Sequence, residues 1–364
     1  MEINMDIELL LKAARQIGAS DLHITANSPP VVRVNGKLVF INEPPLKDRL
    51  PVLAEKCTVL SGADTERMAL RLFGRESLDK LLELGEHDFS YCLPGHGRFR
   101  INAYKQRGFI SLAVRLINEH IPALEELGLP EVVKTLARLN RGLVLVTGPT
   151  GCGKSTTLAA MVELINTESR KHIITLEDPI EFLHENKKSI INQREIGRDS
   201  ASFKTAIRAA MREDPDVILV GEMRDLETIA ATITAAETGH LVLATLHTSS
   251  ASQTVERIID VFPPHQQQQI RIQLSNSIQG IICQQLLPNA DGSGRVAAVE
   301  VMVATPAIRN IIRENKTYQI YSQLQTGLRY GMQTMERSIK DLLQKGLINK
   351  KDAAGIATEP AGVE

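Results

Sequence analysis

The chain contains no tryptophan, and aromatic residues fill only 4% of its 364 positions. Binding single-stranded nucleic acid by base stacking requires aromatic platforms interleaved with basic residues, and no such pattern occurs. Charge points the same way. With 42 basic and 43 acidic residues the net charge is −1, so no global positive field attracts a polyanion. The four cysteines, Cys57, Cys92, Cys152 and Cys283, form no Cys-x-x-Cys pair, which excludes a zinc ribbon. A membrane-spanning helix needs a run of about 18 or more apolar residues, and none is present. Met1 to Ser20 is amphipathic and charged, without the apolar segment of an export signal. These absences predict a cytoplasmic protein that meets a membrane only through partners and binds no nucleic acid directly.

What is present divides into two patterns. Over the first 117 residues, short strand and helix signals alternate. Apolar residues at helical spacing run from Met5 to Ile17 and stop at Gly18. Strands are predicted at Asp21–Thr25 and Val31–Val34, and an Asn35-Gly36 turn leads into Lys37–Ile41 because both turn positions tolerate positive φ. Helical stretches follow at Leu46–Leu60 and Asp64–Leu84, then three strands at His87–Leu93, Arg98–Tyr104 and Phe109–Ile117. This is a small α+β domain. Residues 118–141, punctuated by Pro122, Gly128 and Pro130, read as a linker carrying a short helix. From 142 onward buried strands alternate with helices, the mark of a parallel α/β sheet. Leu143–Thr147, Ile173–Leu176, Val217–Val220 and Leu241–Leu246 are its predicted core strands. The chain from Ala307 reads as helical, and its end beyond Ala353 as frayed.

The strongest motif is Gly148-Pro149-Thr150-Gly151-Cys152-Gly153-Lys154-Ser155, which follows an apolar strand and opens a helix containing Thr156. That context is the one in which a glycine-rich loop turns its backbone N–H groups around phosphates. Lys154 then brings a point charge to the terminal phosphates, and the Ser155 hydroxyl can ligate Mg²⁺. Cys152 occupies a position the motif leaves open. It reads as a small residue that fits there; the sharper alternative is a thiol beside the phosphates, exposed when the loop is empty.

Ligands of open α/β sheets sit at the carboxyl ends of the strands, and two acidic clusters fall at such ends. Glu177-Asp178-Pro179-Ile180-Glu181 follows the Ile173–Leu176 strand, and Glu222 follows Val217–Gly221. Hydrolysis of a phosphoanhydride needs a metal network and a group that activates water. Glu222 is assigned to Mg²⁺ through water, although Gly221 stands where an aspartate usually ends such a strand. Glu181 is the preferred base, with Glu177 second. His247 ends another buried strand, where it could sense the terminal phosphate or couple hydrolysis to movement.

In this order the motifs resemble the secretion-type ATPase superfamily of type II secretion, type IV pili and conjugation. Four boxes carry the resemblance: the phosphate loop, the acidic box Ile174–Phe182, the strand-and-acid box Val217–Asp225, and the histidine box Gly239–Thr248. Within it the chain is most similar to the pilus retraction branch. Its length is compact, it lacks the tetracysteine motif of extension enzymes, and Ala307-Ile-Arg-Asn-Ile-Ile-Arg-Glu314 resembles the AIRNLIRE motif, with Ile311 replacing leucine. Gly331-Met-Gln-Thr-Met335 follows.

The resemblance implies a PAS-like domain before a RecA-like ATPase domain, a homo-hexameric ring, ATP and Mg²⁺ as ligands, and nucleotide held between the two domains. It implies arginines that complete the site, for which Arg98, Arg100, Arg208, Arg212 and Arg257 are the positional candidates. It also implies an inner-membrane pilus platform protein as partner, reached from the cytoplasmic face, and a domain closure about 118–141 that drives pilus disassembly. Rival readings are an extension or type II secretion ATPase of the same superfamily, a nucleic-acid translocase, and a non-catalytic assembly subunit. Intact Lys154, Glu181 and Glu222 disfavour the last.

Overall fold

The computed structural model describes residues 5–34, 36–117, 120–292 and 294–354. They form two compact units that divide at Glu119 and His120. Asn35, half of the expected turn, lies outside the described residues, as do Asn118, Glu119 and the chain beyond 354.

The first unit is a six-stranded antiparallel sheet in the order β3-β2-β1-β6-β5-β4. Its strands are β1 (Asp21–Ile24), β2 (Val31–Val34), β3 (Lys37–Phe40), β4 (Glu86–Leu93), β5 (Gly97–Gln106) and β6 (Phe109–Leu116). Alternation decides which face is buried. Leu22 and Val114 stand opposite each other on β1 and β6, and both are in the core with Phe99, Ile101 and Leu112. Helix α1 (Ile7–Gln16) starts where Asp6 accepts the Glu8 N–H at 3.0 Å. It buries Ile7, Leu10 and Leu11. Between β3 and β4 lie α2 (Leu46–Arg49), α3 (Pro51–Lys56) and α4 (Gly62–Leu84). Two expectations change here. The stretch read as one helix over Leu46–Leu60 breaks before Pro51, whose ring cannot continue a helix from Leu50. The long helix to Leu84 is interrupted at Gly74, where φ is 77° and ψ 178°.

The second unit is a seven-stranded sheet in the order β13-β12-β7-β11-β10-β8-β9. Its strands are β7 (Gly142–Thr147), β8 (His172–Glu177), β9 (Ile190–Glu195), β10 (Val217–Val220), β11 (Leu241–Leu246), β12 (Ile278–Pro288) and β13 (Arg295–Val303). All pairs are parallel except β12 with β13. The helices are α5 (Val132–Ala137), α6 (Lys154–Glu168), α7 (Phe203–Ala210), α8 (Leu226–Glu237), α9 (Ala251–Asp260), α10 (Pro264–Ser277), α11 (Pro306–Arg313), α12 (Ile320–Thr326), α13 (Met335–Gln344) and α14 (Lys350–Ala354). The four predicted core strands are present. The sheet also contains β9, β12 and β13, which periodicity did not reveal. One buried cluster lies against α7 to α12 and another against α5 and α6, so both faces of the central strands are covered, as parallel sheets require.

Residues 120–141 belong to this second unit. Leu124, Val133, Leu136 and Ala137 are buried in one cluster with Val144, Val146 and Ile282. Leu136 lies so close to β12 that a methyl group on Gly280 would sit 2.7 Å from its Cδ1. A solvated linker would leave these side chains indifferent to substitution. Leu136→Ala should instead lower the stability of this unit by about 3 kcal/mol, read as a fall in denaturation midpoint, while Glu125→Ala at the exposed edge stays near neutral. Equal, small effects from both would show that the segment is not part of the core.

Candidate functional site

Strand β7 is buried along all six residues and lies between β11 and β12. It delivers the chain into the loop 148–153, and α6 begins at Lys154. Gly148 has φ of 141°, and a Cβ there would meet the Gln284 carbonyl oxygen of β12 at 2.2 Å and the Cys152 Sγ at 2.7 Å. Gly153 has φ of 87°, and its Cβ would meet Gln284 Nε2 at 2.9 Å. Both glycines are therefore required by conformation and by close approach. Gly153 caps α6 without any side-chain bond, so the first N–H groups of the helix are left for an anion.

Lys154 is only 8% exposed, and its Nζ donates to the carbonyls of Gly148 at 2.9 Å and Pro149 at 3.0 Å. The ammonium is thus pinned over the loop. Cys152 is buried, which agrees with a small residue that fits the loop and goes against an exposed thiol. Burial pushes its pKa up, with Lys154 opposing the shift, which makes it a poor nucleophile.

One pocket gathers Ser155, Glu177, Gly221 and Thr245, with Leu158, Ala159, Phe182, His184 and Leu219 completing its lining. Ser155 comes from the first turn of α6, Glu177 from the end of β8, Gly221 from the end of β10 and Thr245 from β11. At Gly221, where an aspartate is usual, a side chain would be tightly placed. A Cβ would lie 3.1 Å from the Leu176 oxygen and 3.3 Å from the Glu177 Cα. The Gly221 N–H donates to Leu176 O at 2.7 Å, and its own carbonyl accepts from Thr245 Oγ1 at 2.5 Å.

Glu177 has a carboxyl enclosed by this pocket. It accepts from Thr175 Oγ1 at 2.6 Å and Gln193 Nε2 at 3.3 Å, and from the Glu181 backbone N–H. Burial raises its pKa to about 7 against those three donors, with the nearby Glu181 charge adding to the rise. Glu181 itself is half-buried on the following loop. That loop is held from β9: Gln193 Nε2 donates to Phe182 O at 2.8 Å, and Glu195 accepts the Ile180 N–H at 3.2 Å. Gln193, Glu195 and the buried His184, which faces Glu163 at 3.3 Å, went unnoticed in the sequence because polar residues on an edge strand and loop carry no periodic signal.

Glu222 lies just past β10, where its Oε1 pairs with Arg224 Nε at 2.8 Å and its Oε2 is 3.9 Å from His247 Nε2. Partial burial, then repulsion from Lys154, lowers the His247 pKa, which keeps the ring neutral at neutral pH. The structure therefore brings Glu222, His247 and the field of Lys154 together. The arginines are dispersed. Arg208 (α7), Arg212 (just after it) and Arg257 (α9) are exposed, and none lines the pocket with Ser155. In the first unit Arg98 is buried on β5 with Nη2 2.6 Å from Ser90 Oγ, and Arg100 is half-buried on the same strand.

The residues fit a bound ATP with Mg²⁺: a pinned lysine, open N–H groups, a hydroxyl at the helix start and carboxylates at two neighbouring strand ends. The β12–β13 hairpin packs beside these elements. Glu300, buried and with a pKa raised by that burial, accepts the Ala251 N–H at 2.7 Å at the start of α9, directly after the histidine box. Among the described residues no cluster of histidine, cysteine and carboxylate side chains forms a separate metal site, and no helix is long and apolar enough to cross a membrane.

Residues 98–353 match the family described as type II/IV secretion system protein, and the chain belongs to that family. Over 356 residues it is 48% identical to the type IV pilus retractation ATPase PilT of Pseudomonas aeruginosa, covering 98% of this chain and 99% of that protein. It is also 48% identical over 319 residues to the twitching motility protein of Neisseria gonorrhoeae, covering 88% and 82%. Among solved structures, the pilus retraction motor PilT with bound ADP superposes with a TM-score of 0.88 at 47% identity, covering 98% of each chain. The ATPase DotB of Legionella pneumophila gives 0.78 at 29% identity, covering 97% of this chain and 96% of that one.

The raised pKa of Glu177 has a stability consequence. The fold favours its protonated form, so its contribution is fully present below pH 4.5 and is lost as the pH rises through about 7. Glu177→Gln should match the parent near the acid end of that window and exceed it at about pH 8. Urea midpoints measured across the window check this; parallel pH profiles for the two proteins would contradict it.

Proposed function

We propose that the chain is an ATP-hydrolysing, Mg²⁺-dependent motor subunit that powers type IV pilus retraction. The observation that carries this reading is the end-to-end likeness to the pilus retractation ATPase of P. aeruginosa, supported by the pocket that joins Ser155 to Glu177 and by the Lys154 ammonium held over the adjoining loop. Bound ATP–Mg²⁺ supplies the transferable phosphoryl group and its charge neutralisation.

The chain's own groups do the rest. Backbone N–H groups of 148–153 and the first turn of α6, with Ser155 and Thr156, cradle the phosphates. Lys154 exchanges its carbonyl partners for phosphate oxygens. Ser155 and Glu222 would hold the Mg²⁺ ion, which would neutralise charge on the phosphates. Glu181 takes the proton of the attacking water. Glu177, already engaged by three donors, fixes the backbone of Glu181 and so its reach. His247 reports the phosphate state to the helix that follows it. An arginine from the set Arg98, Arg100, Arg208, Arg212 and Arg257, arriving across a domain or subunit boundary, stabilises transition-state charge.

In this proposal the subunit acts in a homo-hexamer at the cytoplasmic face of the inner membrane. A PAS-like first unit moves against the RecA-like second unit, and this movement works a membrane platform protein.

Glu181→Gln should retain ATP binding and lose turnover by about a hundredfold or more, whereas Glu177→Gln should lose less. Near-parental turnover in Glu181→Gln would remove that residue from its role. Deleting the gene should leave cells over-piliated and unable to move on surfaces; loss of pili would instead indicate an extension or secretion motor.

A further inference from the structure

Resting on the reading of 148–155 as a phosphate-binding loop, we propose that Gln284 is a positioning residue of the nucleotide site: its side-chain amide clamps the loop to α6 and to strand β12. Gln284 lies 132 residues beyond Cys152 in sequence, and its Nε2 donates to the Cys152 carbonyl at 2.6 Å. Its Oε1 accepts from the Thr157 hydroxyl at 2.7 Å. The residue is only 4% exposed. The orientation of the amide is fixed by chemistry, because a backbone carbonyl can only accept and so must face the NH₂ end.

The contacts at the two glycines make the clamp close. The backbone carbonyl of Gln284 approaches Gly148 even more tightly than the side chain approaches Gly153. One residue of β12 thus meets both glycines that let the loop turn. Parallel pairing of β12 with β7 sets the height, since Cys283 stands opposite Thr147, the last residue before the loop. Without the amide, the Cys152 carbonyl and the Thr157 hydroxyl would be buried without these partners, a penalty the loop can escape only by moving. Movement would take the loop N–H groups out of register with a bound phosphate. It would also uncover the Cys152 thiol, which packs against Gly148. Gln284 touches no reacting atom in this account; it acts through the loop.

Gln284→Met keeps the length and apolar bulk of the side chain while removing both hydrogen bonds. The test uses the full chain in a Cys92→Ser background, since Cys92 is exposed while Cys57, Cys152 and Cys283 are buried. Maleimide labelling is followed for each cysteine by peptide mass spectrometry, and ADP affinity is measured in parallel. The expected result is labelling of Cys152 faster by about tenfold with Cys57 and Cys283 unchanged, together with ADP binding weaker by about tenfold and ADP slowing the labelling less than in the parent. Labelling and affinity within about twofold of the parent, or Cys152 rising in step with Cys57 and Cys283, would overturn the proposal, because the second outcome is general loosening. If Gln284→Met does not fold, Thr157→Val decides. It removes one anchor only, so selective labelling of Cys152 supports the clamp and parental labelling overturns it. A parent chain that fails to bind ADP would sink the nucleotide-site reading itself, while the labelling pattern still decides whether Gln284 holds the loop.

Discussion

The phosphate loop exists in this form because it is pressed against strand β12 with no room for a side chain between them. The missing Cβ of Gly148 would lie 2.2 Å from the Gln284 carbonyl, and backbone atoms cannot yield as a flexible side chain can. From that contact the rest follows in order. The loop must turn back on itself, its carbonyls converge on the Lys154 ammonium, and α6 begins with its first N–H groups free of side-chain caps. An anion-binding corner is then the natural product of packing, before any ligand chemistry is considered.

Around that corner the sheet solves an electrostatic problem. Hydrolysis needs carboxylates near a polyanion, and carboxylates in a closed pocket tend to take up protons. Glu177 shows this tension, with burial lifting its pKa toward neutrality despite donors from Thr175, Gln193 and the Glu181 backbone. Glu222 is treated differently: Arg224 pairs with it and His247 stands beyond. Two acids at adjoining strand ends are therefore held in unlike environments.

Much of this was legible in the sequence wherever chemistry is local. The phosphate loop declares itself because glycine spacing, lysine and hydroxyl must occur within eight positions, and the central strands because parallel strands buried on both faces read as unbroken apolar runs. The α+β character of the first unit followed from alternation and turn residues. What stayed hidden was non-local. Strand β12 follows α10 without an intervening loop, Ser277 ending the helix and Ile278 opening the strand, and its polar Gln284 is buried. Residues 120–141 look like a linker by their prolines and glycine, yet Leu124 and Leu136 are core. For Cys152 the loop position leaves both a small fitting residue and an exposed thiol open, and only the fold shows it packed against Gly148. Gly221 stands where an aspartate is usual, and only the fold shows how closely β8 approaches it. The arginines were chosen by resemblance, and a single chain leaves them scattered.

The central claim is that the strand-to-helix corner at Lys154 holds a triphosphate so that the neighbouring acids can act on it. Phosphate release by the purified, assembled protein tests it most directly, measured with and without Mg²⁺ and compared with Lys154→Ala. Mg²⁺-dependent release that falls by about a hundredfold or more in the variant is predicted. Release that does not depend on Mg²⁺, or that persists at the parental rate without the lysine, would contradict the account.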